Sequence, residues 1–271
     1  SHTFFSQVLE GIDEVASEND YEIILCVSDE KEEREKTHLQ TLLSMQVDGL
    51  LVSVSEETSD PAPFQEVMDQ EVPLVFFDRS LDEIDASCVT VDDRGGAYNA
   101  VSHAVENGNK QIAHIAGYSH IQIGRQRRLG YEDALRDHGF SVQDDLIIEG
   151  GFGEKDGYVG GNTLLENGIL PDAIFAVTFP VALGVDDRIR KTNSSIREDI
   201  QIYSFGQHGL NRFFKHPHIS VHQPTHEVGR KAMNLLLDEI EHPSSPTTEI
   251  ELSTHVVGPE ESYTLPYLQD D

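Results

Sequence analysis

One feature constrains the fold more than any other: short apolar runs alternate with helical-period segments along nearly the whole chain. The runs fall at residues 21–27, 49–54, 73–77, 89–92, 111–116, 146–149, 173–176, 200–204, 219–221 and 249–257. Helical patterns lie between them at 32–44, 63–70, 95–106, 125–138, 157–167, 181–192 and 226–241. Short, mostly apolar runs are what strands covered on both faces look like. Strand–helix–strand order implies parallel pairing through right-handed crossovers. The sequence therefore predicts an α/β protein with parallel sheets. Its opening departs from that rhythm. Phe4, Phe5, Val8, Leu9, Ile12 and Val15 recur at helical spacing, so the first element is a helix. A parallel sheet ordinarily opens with a strand, and the expectation is that the first strand was trimmed or precedes Ser1. The Pro/Ser/Thr cluster at 242–248 reads as a turn, and the stretch from Pro259 as an extended tail.

A length of 271 residues suits two α/β lobes, each of about 100–150 residues. No apolar run reaches the roughly 18 residues that a membrane helix needs, and Ser1 to Glu10 carries no basic stretch followed by an apolar one. The expectation is a cytoplasmic protein with no membrane partner. Cys26 and Cys88 lie in apolar runs without a Cys-x-x-Cys spacing, which reads as two reduced thiols and no thiolate zinc site. The charge balance is 49 acids against 19 bases, a net charge of −30. Such a surface repels a phosphate backbone, so these residues are not expected to bind DNA themselves. A solubilising surface accounts for the acidity, and a high-salt habitat that screens self-repulsion is a second reading. The acids are dispersed and form no calcium loop.

In open α/β sheets ligands collect at the carboxyl ends of strands, so the residues just after each run carry the functional reading. Asp78-Arg79 follows the run at 73–77: a carboxylate accepts hydroxyl hydrogen bonds and a guanidinium donates several, although a local ion pair fits equally. Arg125 opens a basic cluster ending in Gly130-Tyr131, at a helix start where the dipole disfavours cations. Phe4, Phe5 and Phe152 offer faces that stack on a sugar or a base, or simply pack in a core. Gln223 stands after 219–221, with a carboxamide that both donates and accepts. Enzyme signatures are missing: no Gly-x-Gly-x-x-Gly after a strand, no phosphate-cradling Gly-x-x-x-x-Gly-Lys and no Gly-x-Ser-x-Gly. His216, His218 and His222 lack a flanking carboxylate at ligand spacing. No catalytic residue, metal or cofactor is therefore assigned.

Taken together the signals have a pattern. Phe4-Phe5-Ser6-Gln7-Val8-Leu9-Glu10-Gly11-Ile12, Val47-Asp48-Gly49-Leu50-Leu51 and Pro73-Leu74-Val75-Phe76-Phe77-Asp78-Arg79 occur in order. Val91-Asp92-Asp93-Arg94-Gly95-Gly96-Ala97, Ile112-Ala113-His114-Ile115-Ala116-Gly117 and the stretch from Arg125 to Tyr131 follow. In order and spacing these resemble the effector-binding region of the lactose-repressor/galactose-repressor family, and more distantly periplasmic ribose-binding proteins.

The resemblance implies two similar Rossmann-like lobes joined by a three-segment hinge, with a ligand held between them. The lobes would comprise 1–92 with 224–250, and 93–223 with 251–264, leaving 265–271 as a tail. By position, Phe4, Phe5 and Phe152 would stack on the ligand, and Asp78, Arg79, Arg125 and Gln223 would hydrogen-bond to it. His2 stands where many sugar binders place an asparagine. Thr178 and Gly206 replace the family's usual amide and acid; Gln207 or His208 would substitute for them, and Thr178 itself stands as a further candidate contact, as does His2. The implied protein is the sensing core of a transcriptional repressor and not an enzyme. It would form a homodimer, bind a small sugar-like effector, and reach operator DNA only through a helix-turn-helix segment upstream of Ser1. The alternative of the same fold is a periplasmic sugar-binding protein serving a transporter.

Overall fold

The computed structural model describes residues 2–192, 200–206 and 218–258. The chain divides into two compact units. One comprises His2–Val91 and Pro224–Leu252; the other is built on Asp92–Gln223 and the stretch that starts at Ser253.

The first unit contains a four-stranded parallel sheet in the order β1-β2-β3-β9. Its strands are β1 (Leu50–Val52), β2 (Leu74–Phe77), β3 (Ser87–Val91) and β9 (Glu249–Leu252). Period-two alternation sends each strand's side chains to opposite faces. Val75, Phe77, Val89 and Val91 pack under α1 (His2–Glu18) and α8 (Thr225–Glu241). Leu50, Leu74, Phe76 and Cys88 pack under α2 (Glu32–Ser44) and α3 (Ala62–Asp69). All four residues of β2 are buried, which explains why it reads as an unbroken apolar run. Burial pushes the Cys88 thiol up to about 11, while Cys26 is half-buried and also free.

The second unit contains a six-stranded sheet in the order β10-β8-β7-β6-β4-β5. Its strands are β4 (Ile112–Ala116), β5 (Ile147–Glu149), β6 (Ala173–Ala176), β7 (Gln201–Phe205), β8 (His218–His222) and β10 (His255–Val257). All neighbours are parallel except β10 and β8, which are antiparallel. α4 (Asp93–Glu106) and α5 (Gln122–Asp137) cover Ile112, Phe175, Tyr203 and Phe205. α6 (Glu154–Glu166) and α7 (Phe179–Arg190) cover Ile115, Ile174, Ala176 and Ile202. Strand order reverses at β4, which lies between β5 and β6. That reversal opens a crevice at the carboxyl ends of β4 and β6.

Two expected strands are corrected. Residues 21–27 are strand-like in composition but join no sheet among the described residues. A strand exists only when its backbone groups find a partner, and here Ile24, Leu25 and Val27 stand exposed. The run at 249–257 is two strands, β9 and β10, that belong to different sheets. They are separated by Ser253 and Thr254, whose hydroxyl bonds the Asp92 carbonyl at 3.2 Å.

Candidate functional site

In the four-stranded unit the polar residues gather where β1 and β2 end. Asp78 has a left-handed backbone, φ 63°, unusual for a residue with a side chain. The turn is closed by the Arg79 amide donating to the Phe77 carbonyl at 2.7 Å, and the Asp78 amide bonds the Val89 carbonyl at 3.0 Å. This corner turns both side chains back to the strand ends. The Ser53 hydroxyl donates to Asp78 Oδ2 at 3.3 Å. Arg79 Nη1 donates to Glu30 Oε2 at 2.7 Å and to the Val54 carbonyl at 3.3 Å. Burial works against the Arg79 charge, but the Asp78 and Glu30 carboxylates outweigh it and leave its pKa raised.

Three carboxylates from the start of α2 and the turn before it hold the loop after β1. Glu30 accepts from the Glu56 amide at 2.9 Å, Glu32 from the Asp60 amide at 2.8 Å, and Glu35 from the Ser55 amide at 2.8 Å. Glu35 is itself buried, and desolvation raises its pKa despite hydrogen bonds from Thr58 and Ser55. In a chain with 49 acids, no sequence signal separated Glu30 and Glu35 from the rest. Phe4 and Phe5 meet edge to face at 5.2 Å, and Phe5 meets Phe77 at 6.4 Å, so this pair is continuous with the strand that leads to Asp78.

In the six-stranded unit, β4 is followed by the loop that leads into α5, and β6 by Val177 and Thr178. Thr178 caps α7: its oxygen accepts from the Val181 amide at 3.4 Å, and its hydroxyl donates to the Phe152 carbonyl at 2.8 Å. The threonine in place of an amide thus ties two loops at the crevice rim. Phe152 is a core residue here, 9% exposed and edge-on to Tyr118 at 6.2 Å. Gly117 admits it, because a Cβ there would stand 2.2 Å from the ring. Gln223 is buried at the end of β8, and its Oε1 would lie 3.6 Å from a Cβ on Gly206, whose φ is 84°. Gln207 and His208 lie outside the described residues, as does the side chain of His2.

Arg125 sits part-exposed in the first turn of α5. Two residues on, Arg127 is only 3% exposed. It donates from Nε to Asp93 at 2.7 Å and from Nη1 to the Val177 carbonyl at 2.5 Å, and its guanidinium lies 3.6 Å over the Phe205 ring. One buried cation therefore joins the start of α4, the helix of Arg125, the residue before Thr178 and the end of β7. The Arg-x-x-Gly-Tyr spacing of the sequence is met by Arg127, Gly130 and Tyr131, a signal that the neighbouring arginines obscured.

His114 and His218 are also buried. His114 stacks between Tyr131 and Phe175 at 5.0 and 4.7 Å, and burial lowers its pKa to about 4. His218 pairs with the Ser204 hydroxyl at 2.9 Å, and burial lowers its pKa to about 3. Of the histidine trio noted in the sequence, His218 is thus a neutral core residue, His222 faces His255 across β8 and β10 at 4.7 Å, and His216 lies outside the described residues.

Residues 1–257 match the family described as periplasmic binding proteins and sugar binding domain of LacI family. The chain is 30% identical over 241 residues to the HTH-type transcriptional repressor PurR of Haemophilus influenzae strain PittEE, covering 88% of this chain and 70% of the relative. Among solved structures it is similar to a putative ribose operon repressor from Burkholderia thailandensis, with 25% identity, a TM-score of 0.86 and 95% of each chain covered. It is also similar to a transcriptional regulator CelR in complex with cellobiose, with 27% identity and a TM-score of 0.84, over 94% of this chain and 77% of that one.

Proposed function

The chain belongs to the LacI family as its effector-binding core, and on that premise we propose that it senses a small polar molecule through the residues at the strand ends of both units. The four-stranded unit contributes Asp78, Arg79, Phe4 and Phe5. The six-stranded unit contributes Arg125, Gln223 and Phe152, with Gln207 and His208 at the margin beside the Thr178 cap, and Arg127 holding the rim beneath; His2 stands at the margin of the four-stranded unit. The observation that carries this reading is where these groups lie: a strained Asp78 corner ends β2, and Thr178 caps a helix at the β4/β6 crevice. Carboxyl ends and switch points are where open α/β sheets take ligands.

The effector is sugar-like or base-like: hydroxyls and ring N–H groups suit a carboxylate, a guanidinium and a carboxamide, and flat faces suit the phenylalanines. The CelR structure holds cellobiose, which fits that class. The protein performs no chemistry on its ligand. Binding changes the affinity for operator DNA, and by linkage operator binding changes effector affinity by the same factor. Because a net charge of −30 repels phosphates, DNA contact is made by a helix-turn-helix segment outside these residues, and the protein acts as a homodimer.

The test is calorimetry against a panel of aldoses, cellobiose and purine bases. Asp78→Ala and Arg125→Ala should each weaken the hit by about 1–3 kcal/mol through lost charged hydrogen bonds. Unchanged affinity in both variants would sink the site assignment.

A further inference from the structure

Glu30 closes the Asp78–Arg79 corner, and neither a motif nor the family pattern pointed to it. Asp29 and Glu30 stand consecutively at φ 52° and 60°, a left-handed pair with side chains on both residues. That turn brings the Glu30 carboxylate to Arg79 at 2.7 Å and to the Glu56 amide at 2.9 Å. Exposure separates the members of the corner. The Arg79 and Asp78 side chains are 12% and 10% exposed, whereas Glu30 is 42% exposed. Glu30 is thus the most solvent-exposed member of the corner. Asp78, Glu30 and Glu56 all act on Arg79, so three carboxylates surround one cation and the corner is net negative.

We propose that Glu30 sets the ligand class of this corner: it admits uncharged molecules that donate hydroxyl or N–H hydrogens, and it refuses phosphorylated ones. The inference rests on the reading that Asp78 and Arg79 contact the effector. A buried arginine at a strand end is by itself an attractive phosphate site, because its fork matches phosphate oxygens. Here Nη1 of that fork serves Glu30 and the Val54 carbonyl, and Asp78 Oδ2 lies 3.9 Å from Nε. A phosphate at the guanidinium would have to sit beside both carboxylates. A hydroxyl or ring N–H faces no such conflict, since carboxylate oxygens only accept.

The test uses the chain as it is, with fructose 1-phosphate and inorganic phosphate as probes, by calorimetry at fixed ionic strength. Glu30→Gln keeps the acceptor for the Glu56 amide and removes the charge; an unchanged circular dichroism spectrum checks the fold. Glu30→Gln should bind both probes about tenfold or more tightly than the native chain. The double variant Glu30→Gln/Arg79→Met should lose that gain. Equal phosphate affinity in the native chain and Glu30→Gln, or a gain that survives in the double variant, overturns the role of Glu30 and leaves the site reading intact. A phosphate gain combined with neutral-ligand affinity indifferent to Asp78→Asn removes the corner from the effector site, and the specificity role falls with it.

Discussion

The two units share a plan, helices on both faces of a mostly parallel sheet, yet they place their polar groups differently. In the six-stranded unit the sheet interior holds His114, His218 and Ser204, and the Arg127–Asp93 pair lies buried against Phe205. In the four-stranded unit β2 is apolar throughout, and the buried acid, Glu35, sits at the loop rim with Ser55 and Thr58. The difference shows two ways to hold a functional rim in place. One unit sets a buried cation, Arg127, beneath its rim; the other sets Glu30, Glu32 and Glu35 along the loop after β1. The units should therefore respond in opposite ways to the loss of a charge and to acid.

The largest test of that contrast is Arg127→Met. It leaves Asp93 buried without its cation, which costs about 3–5 kcal/mol. The expected reading is a lower urea midpoint, with hydrogen exchange rising in β4 and β6 peptides and not in β2 and β3 peptides. Adding Asp93→Leu should recover most of the loss, because an apolar replacement of both partners is close to neutral. A uniform rise in exchange over both units would break the comparison.

Acid is the next test, and its sign follows from the two histidines. Their folded pKa values, about 4 for His114 and about 3 for His218, lie below the ordinary 6.5. Protons bind the unfolded chain more readily, so this stabilisation is complete above 6.5 and is lost as pH falls from there towards 4. At pH 5 each histidine should have cost the six-stranded unit about 2 kcal/mol. Glu35 has the opposite sign. Desolvation raises its folded pKa, so the native state holds the proton better and acidification relieves the cost of burying its charge. Unfolding at pH 7 and pH 5, read by exchange in each unit, should show the loss in the six-stranded unit, and His114→Phe should remove about half of it. Equal slopes in the two units would refute the assignment.

The helix pairs provide a finer comparison. A Cβ on Gly11 in α1 would stand 2.1 Å from the His226 carbonyl oxygen, and one on Gly184 in α7 would stand 1.9 Å from that of Glu154. Each glycine lets two helices approach within backbone contact. Alanine at either position forces the pair apart and should cost about 1–3 kcal/mol by thermal unfolding. Similar costs would mean that both units use close helix contact equally; a far smaller one at Gly11 would mean that α1 and α8 adjust more freely.

Much of this was legible in the residues. The alternation of apolar runs and helical patterns located nearly every element, because strands covered on both faces are mostly apolar. What failed was pairing. Residues 21–27 have strand composition, but composition does not supply a partner, and the split at Ser253-Thr254 carries no glycine or proline to mark it. At the candidate site, Asp78 and Arg79 stood out as a carboxylate beside a guanidinium at the end of an apolar run. Arg127 did not, since three arginines within four residues look alike until burial separates them. Glu30 and Glu35 were hidden by the acidity of the whole chain.

Thr178 gives the smallest effect and separates structure from recognition most cleanly. Its position suggested a ligand contact, yet both hydrogen-bonding roles of its hydroxyl are engaged, by the Val181 amide and the Phe152 carbonyl. Removing a helix N-cap costs about 1 kcal/mol. Thr178→Ala should therefore lower stability by about that amount and leave effector affinity unchanged, while Thr178→Ser, which keeps the hydroxyl, should restore the midpoint. If Thr178→Ala instead weakens effector binding with its melting midpoint intact, the hydroxyl serves the ligand and not the cap. The six-stranded unit would then read its effector through a side chain that also closes a helix, as the four-stranded unit does with Asp78 at its strained corner.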